Sequence, residues 1–279
     1  MKFGFIGAGK VGFSLGKYFA ENGYQVSGYF SQFYEDAIEA SKFTNSADYK
    51  SMENLVNDSD VLFLTVPDGM IEEVWNEIKK LDISGKIVCH CSGALSSKIF
   101  SDISERGGFG YSIHPLFAVS DKYESYKELS NSYFTIEGSP EKIDTVKELF
   151  ENMGNTVCII SSENKVKYHA AAAIASNLVV GLIGLSEQLL EECGFEENAA
   201  HNALSPIIQG NIHHILNDGV VNALTGPIER NDVETIKKHL SVLQGDAKQT
   251  YIAASRQVLQ IAKEKNENRD YSKIEEILK

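Results

Sequence analysis

Three glycines, Gly7, Gly9 and Gly12, spell G-x-G-x-x-G between a short apolar run, Phe3 to Ile6, and an amphipathic stretch, Val11 to Asn22. In that setting the first glycine permits a tight turn, the second lets backbone approach a pyrophosphate, and the third lets helix and strand pack closely. The free N–H groups of the helix start would face the negative charge. Gly7, Ala8, Gly9, Lys10, Val11 and Gly12 are therefore the expected pyrophosphate seat. At the end of the next run, Tyr24 to Phe30, a carboxylate would hold a ribose 2′-hydroxyl, yet the chain reads Ser31 and Gln32 there, with no acid before Glu35. A serine hydroxyl can instead donate to a 2′-phosphate, which favours NADP over NAD; an ordinary turn residue is the other reading of Ser31.

Two later segments end in polar residues. Asp60 to Val66 runs into Pro67 and Asp68. Ligands of an open α/β sheet sit at the carboxyl ends of its strands, so Val66, Pro67 and Asp68 are expected to touch the cofactor. Capping the next helix is the alternative for the Asp68 carboxylate. The run Lys86 to Cys91 leads into Ser92, Gly93 and Ala94. Strand alternation points Cys89 and Cys91 to one face and His90 to the other, which argues against a metal site. Ser92, Gly93 and Ala94 offer a hydroxyl and backbone amides that can hold a substrate carboxylate or carbonyl oxygen. A helix cap at Ser92 or Ser96 uses the same atoms differently.

His114, before Pro115, carries an imidazole suited to proton transfer near neutrality, or is a buried and satisfied histidine. Lys165 and His169, four apart, share one helix face, which Ala172 and Ser176 continue and Asn177 flanks. A partly desolvated lysine can deliver a proton to a carbonyl oxygen as hydride reaches the carbon, while His169 or Asn177 orients that oxygen. A solvated lysine beside a helix-start histidine is the plain alternative. Arg230, in the turn Leu224 to Asp232, can clamp a carboxylate with two hydrogen bonds or tie its loop to a helix, and Asp232 is a natural N-cap. His213 and His214 read as helix surface.

These residues need an alternating frame. After the first strand, helix and strand, the periodicity predicts helices at Met52 to Asn57, Gly69 to Leu81 and Glu141 to Met153. Strands are predicted at Asp60 to Val66, Lys86 to Cys91, Phe109 to His114, Tyr133 to Glu137 and Thr156 to Ile160. Alternation of this kind means a mostly parallel, doubly wound α/β sheet. From Ser162 the pattern turns helical, with stops at Gly194 and Gly219, giving a dinucleotide-binding domain over 1–161 and a helical substrate and dimerisation domain over 162–279. The apolar run Ala170 to Leu185 is shorter than a membrane-spanning helix needs and contains Ser176 and Asn177, so a buried helix is expected.

The 279 residues are 43% hydrophobic, enough for a proper core, and carry a net charge of −13, a sign that repels phosphate backbones and anionic lipids. Neither nucleic acid nor a membrane is an expected partner. Four scattered cysteines and a start without an export signal fit a reducing cytoplasm.

The first domain resembles the NADP-binding domain of the 6-phosphogluconate dehydrogenase, 3-hydroxyisobutyrate dehydrogenase, ketopantoate reductase and pyrroline-5-carboxylate reductase group. GAGKVG, DVLFLTVPD, HCSGAL, SIHPL, KVKYHAAAAIASN and LTGPIERND together resemble a narrower family of Rossmann-like NADP oxidoreductases with a helical C-terminal domain. The resemblance implies a Rossmann-type sheet followed by an all-helical domain. In hydroxyacid dehydrogenases of the group, a Lys followed four residues later by Asn supplies the proton donor and its helper, and a Ser-Gly segment binds substrate. Lys165 and Ser92-Gly93 match that pattern, with His169 in place of the Asn. Prephenate dehydrogenases pair a strand-end Ser with a His-Pro histidine, which Ser92 and His114 resemble. The resemblance further implies a small 2-keto or 2-hydroxy acid as substrate, ketopantoate first, and a homodimer for which the apolar helix Lys165 to Cys193 would serve. Hydride exchange between NADP and a deazaflavin, or a non-catalytic NADP sensor, are the competing readings.

Overall fold

Short runs of Phe, Val, Ile and Leu form strands that are apolar on both faces and so need helices above and below them. The computed structural model, which describes residues 1–279, supplies those helices. The order is β1 (Lys2–Ile6), α1 (Lys10–Glu21), β2 (Gln25–Phe30), α2 (Tyr34–Thr44), β3 (Ala47–Asp48), α3 (Met52–Asn57) and β4 (Val61–Leu64). It continues with α4 (Ile71–Ile78), β5 (Ile87–His90), β6 (Phe109–Pro115), β7 (Tyr133–Gly138), α5 (Ile143–Glu151), β8 (Thr156–Ile159) and α6 (Lys165–Ala175). The eight strands lie in the order β3-β2-β1-β4-β5-β6-β7-β8. All neighbours run parallel except β6 and β7. Because the chain leaves β1 toward β2 and later returns to β4 on its other side, the switch point lies between β1 and β4, where the carboxyl ends open a crevice.

The strand pleat divides the core. Phe3, Phe5 and Phe63 join Phe19 of α1 and Phe150 of α5 on one face, while Leu62, Leu64 and Val88 join Trp75 of α4 on the other. The short β3 and the helix α2 before it have no strong apolar run, and the periodicity did not predict them. α4 starts at Ile71 rather than Gly69, because Asp68–Met70 form a 3₁₀ turn.

The first compact unit is Met1–Ala175, so it extends past the boundary expected at Ser161. α6 belongs to it because Lys165 is sunk to 1% exposure against the ends of β5 and β6.

The second unit, Ser176–Lys279, is all helical. It comprises α7 (Asn177–Glu192), α8 (Glu197–Ala223), α9 (Val233–Val242), α10 (Gly245–Lys265) and α11 (Ser272–Ile277). Gly219 breaks α8 with φ 76°, and Asp232 caps α9 by accepting the Thr235 N–H at 3.1 Å. A small core joins Ile228, Ile236, Leu259, Tyr271, Ile274 and Leu278.

The buried helix expected at Ala170 to Leu185 is not what the chain forms. α6 and α7 divide it at Ser176, and none of its side chains is buried, with Val180 exposed at 71%; on α8, Leu216 is exposed at 79%. By length and composition Ser162–Glu192, in which an 18-residue window has a mean hydropathy of 1.6, is also long and apolar enough to cross a membrane, contrary to the expectation from length. The chain by itself does not cover this apolar surface.

Candidate active site

β1 delivers the glycine turn to the switch point. Gly7 has φ 103°, a left-handed conformation that favours glycine, and its N–H donates to Phe30 O at 2.8 Å. A Cβ on Gly12 would lie 2.5 Å from Gly7 O and 2.6 Å from Thr65 Oγ1, so this glycine lets α1 press onto the strand ends. Gly9 is different. It caps α1 with no side-chain hydrogen bond, α1 has no acid in its first turn, and a Cβ on Gly9 would meet nothing within 4 Å. An uncapped helix start of this kind, with open space before it, fits a pyrophosphate. Ala8 is buried, Val11 half-buried and Lys10 exposed along the same turn.

At the end of β2, Ser31 is half-buried, and the parallel register Tyr29↔Asp48 carries the chain beyond β3 so that Lys50 arrives at the same edge. The Lys50 ammonium lies 4.9 Å from the Tyr34 ring centre, and the Tyr34 hydroxyl donates to the Asp48 carboxylate. Phe33 stands 65% exposed beside them, and Glu35 and Asp36 open α2. Lys50 escaped the sequence reading because only the sheet order brings β3 next to β2.

Of the loop after β4, Val66 is half-buried and Pro67 exposed. Asp68 caps no helix; its carboxylate accepts the Ser92 hydroxyl at 2.6 Å. Ser92 Oγ in turn accepts the N–H groups of Ala94 and Leu95 at 3.2 and 3.0 Å. The hydroxyl and the Ala94 amide are thus spent on holding the turn, whereas the Gly93 N–H makes no hydrogen bond within the protein. His90 supports the turn from below: its Nδ1 accepts Ser92 N–H at 3.2 Å and its Nε2–H donates to Ser96 O at 3.2 Å. Burial, chiefly, lowers the His90 pKa to about 4, so it stays neutral.

Lys165 reaches into the same turn. Its Nζ donates to Ser92 O at 2.9 Å and to Ser112 Oγ at 2.7 Å, and Ser112 Oγ also donates to Ser92 O at 3.2 Å. Burial brings the Lys165 pKa down to about 8, against the opposing pull of Glu137, Cys91 and Asp68. The solvated lysine that the sequence left open is ruled out, and the ammonium sits beneath the turn.

His114 and His169 converge on Gly93. A Cβ there would lie 2.5 Å from His169 Cδ2 and 3.0 Å from His114 Nε2, so only glycine admits both rings. The rings stand edge to face with centres 6.3 Å apart. His114 Nδ1 is 2.7 Å from the Tyr168 hydroxyl. Burial first, then the charge of Lys165, lowers the His114 pKa to about 4. Asn177 and Arg230 belong to the second unit; Asn177 Oδ1 accepts the Ser176 hydroxyl at 3.2 Å, and Arg230 is exposed next to the capping Asp232.

Comparison with known proteins agrees with this layout. Residues 1–115 match the model of the Rossmann-like domain, ending with β6, and residues 132–258 match that of a domain of unknown function, DUF2520. The DUF2520 match takes in β7, α5, β8 and α6, so Tyr168, His169 and Lys165 come from it, and Gly93 and His114 from the Rossmann-like part. The Bacillus subtilis (strain 168) protein named "Putative 6-phosphogluconate dehydrogenase YqeC" is 27% identical over 157 residues, 54% of this chain and 50% of that protein. The chain thus spans about half the length of this curated relative. Protein TM1727 from Thermotoga maritima is 27% identical in its crystal structure, with 96% of this chain and 100% of that one covered and a TM-score of 0.75. The crystal structure of "putative NADP oxidoreductase BF3122" from Bacteroides fragilis shares the fold at 19% identity, with 93% and 98% covered and a TM-score of 0.67.

Proposed function

We propose that this protein is an NADP-dependent oxidoreductase that interconverts a small 2-keto acid and its 2-hydroxy acid, with ketopantoate the first substrate to try. The observation that carries the reading is the shared sheet edge: the uncapped start of α1, the Gly93 turn and the two histidines all lie at the carboxyl ends of β1, β5 and β6. The names of the relatives, a dehydrogenase and an NADP oxidoreductase, support it.

Gly7 to Gly12 receive the pyrophosphate on the α1 N–H groups, and Ser31 with Lys50 receives the 2′-phosphate. Val66, Pro67 and Asp68 border the nicotinamide end. When bound, the reduced nicotinamide supplies a hydride to the substrate's carbonyl carbon. The carbonyl oxygen is seated on the Gly93 N–H with His114 and His169 around it. Lys165 is the proton source, because at a pKa of about 8 it is charged at neutral pH yet releases its proton more readily than a solvated lysine. For this the ammonium exchanges the Ser92 carbonyl for the substrate oxygen, and the amine left behind is reprotonated from solvent. Arg230 and Asn177 are the second unit's candidates for the substrate carboxylate. The exposed apolar faces of α7 and α8 suit burial in a homodimer, and a reducing cytoplasm suits four free cysteines.

Mixing the protein with NADPH and a panel of 2-keto acids tests the reading by loss of reduced-nicotinamide absorbance. Oxidation with one of them is expected. NADPH binding without oxidation by any keto acid would favour the sensor, and turnover only with a deazaflavin would favour the other enzyme.

A further inference from the structure

Two side chains at the site have no part in the reaction above. Tyr168 follows Lys165 by three residues on α6, half-buried, with its hydroxyl 2.7 Å from His114 Nδ1 and its ring edge-on to the imidazole at 5.6 Å. The other is Thr135, which pairs with His114 across β6 and β7. Its hydroxyl donates to His114 O at 3.5 Å. On the far side of the ring, His114 Nε2 has no partner in the protein and faces Gly93.

A neutral imidazole carries one proton, on Nδ1 or on Nε2, and the bond made by one nitrogen decides the state of the other. A phenol is a good donor and a poor acceptor, whereas an unprotonated imidazole nitrogen is a good acceptor, so O–H···N is the stronger of the two pairings available. We infer that Tyr168 donates to His114 Nδ1 and so fixes His114 as its Nε2–H tautomer, with that proton aimed over Gly93 at the substrate oxygen. Tyr168 is then a positioning residue, and His114 is a neutral hydrogen-bond donor rather than the acid. The use of this donor rests on the proposed reduction; the tautomer itself does not.

The surroundings keep both groups in the required state. His114 faces Lys165, His169, His90 and Asp68; burial and the first three oppose a second proton, and only Asp68 favours it. Burial also raises the Tyr168 pKa, so the phenol keeps its proton.

Long-range proton–nitrogen spectra of the ¹⁵N-labelled full chain test the inference, with the His114 signals assigned by their loss in His114→Asn. A protonated Nε2 and an unprotonated Nδ1 are expected, persisting to pH values well below the ordinary histidine range. In Tyr168→Phe the two tautomers should mix, and kcat with a working keto acid should fall by about 10²-fold, the scale of one lost transition-state donor, while NADPH affinity holds. An unprotonated Nε2 in the unaltered protein overturns the inference, whether or not Tyr168→Phe folds. So does a Tyr168→Phe protein that keeps a pure Nε2–H tautomer. If no keto acid is reduced, the proposed function fails while the spectrum still decides the tautomer.

Discussion

Lys165 donates to the Ser112 hydroxyl across 2.7 Å, although 53 residues separate them in the chain. The contact draws a charged side chain below the Ser92-Gly93 turn and ties α6 to the ends of β5 and β6. A cation so desolvated gives up its proton more easily than a solvated lysine.

One consequence is a pH limit on reduction. Because the Lys165 pKa is lowered to about 8, kcat for keto-acid reduction should decline as pH rises through that value and the donor is lost. Lys165→Met should lower kcat by about 10²- to 10⁴-fold, abolish this limb of the profile and leave NADPH binding intact. A profile flat from neutrality to well above pH 8 in the unaltered enzyme would remove Lys165 as the proton source.

Gly93→Ala tests the meeting of the two histidines. The new methyl would intrude on His169 Cδ2 at 2.5 Å and on His114 Nε2 at 3.0 Å. Displaced rings should cost about 10²-fold in kcat, with NADPH affinity measured by titration unchanged. Full turnover in Gly93→Ala would show that the rings are not held in place by this contact.

Gly9 and Gly12 should behave oppositely although they belong to one motif. Gly9→Ala places its methyl in open space, on a backbone with φ −81°, so the melting temperature should hold while NADPH affinity falls. Gly12→Ala drives a methyl to 2.5 Å from a backbone oxygen and should lower the melting temperature. Calorimetric binding and thermal melts of the pair separate the two roles.

In the proposed 2′-phosphate seat, Lys50 supplies the cation that the sequence around Ser31 lacks. Lys50→Glu should weaken NADPH binding by roughly tenfold or more while NADH binding changes little, since only the 2′-phosphate differs. Equal losses for both dinucleotides would place Lys50 outside the phosphate seat.

Acid should destabilise the fold through two neutral histidines. His90 and His114 titrate at about 4 in the folded protein, below the ordinary value of 6.5. Between those values the unfolded chain binds the extra protons and the folded one does not, so stability falls as pH drops through that window. Each such group contributes at most about 1.4 kcal/mol per pH unit. Denaturant melts should show that slope, and His114→Asn should make it shallower.

Local chemistry was legible in the sequence wherever a residue's neighbours are its neighbours in the chain. The glycine turn, the strand runs, the cap at Asp232 and the helix break at Gly219 all depend on backbone geometry within a few residues, and the structure shows each of them. The four-residue spacing put Lys165 and His169 on one helix face, but it did not show that the lysine is buried while the histidine is exposed. Only the tertiary structure settled what depends on sheet order. That includes the Asp68–Ser92 bond, the arrival of Lys50 over the Tyr34 ring, and the convergence of His114, His169 and Gly93 from three separate segments. The same holds for the apolar helix: composition gave its hydrophobicity, but burial depends on what packs against it, and within this chain α7 stays largely exposed. Hydrogen bonds and desolvation act over a few ångströms of space, and sequence spacing measures that distance only within a single element.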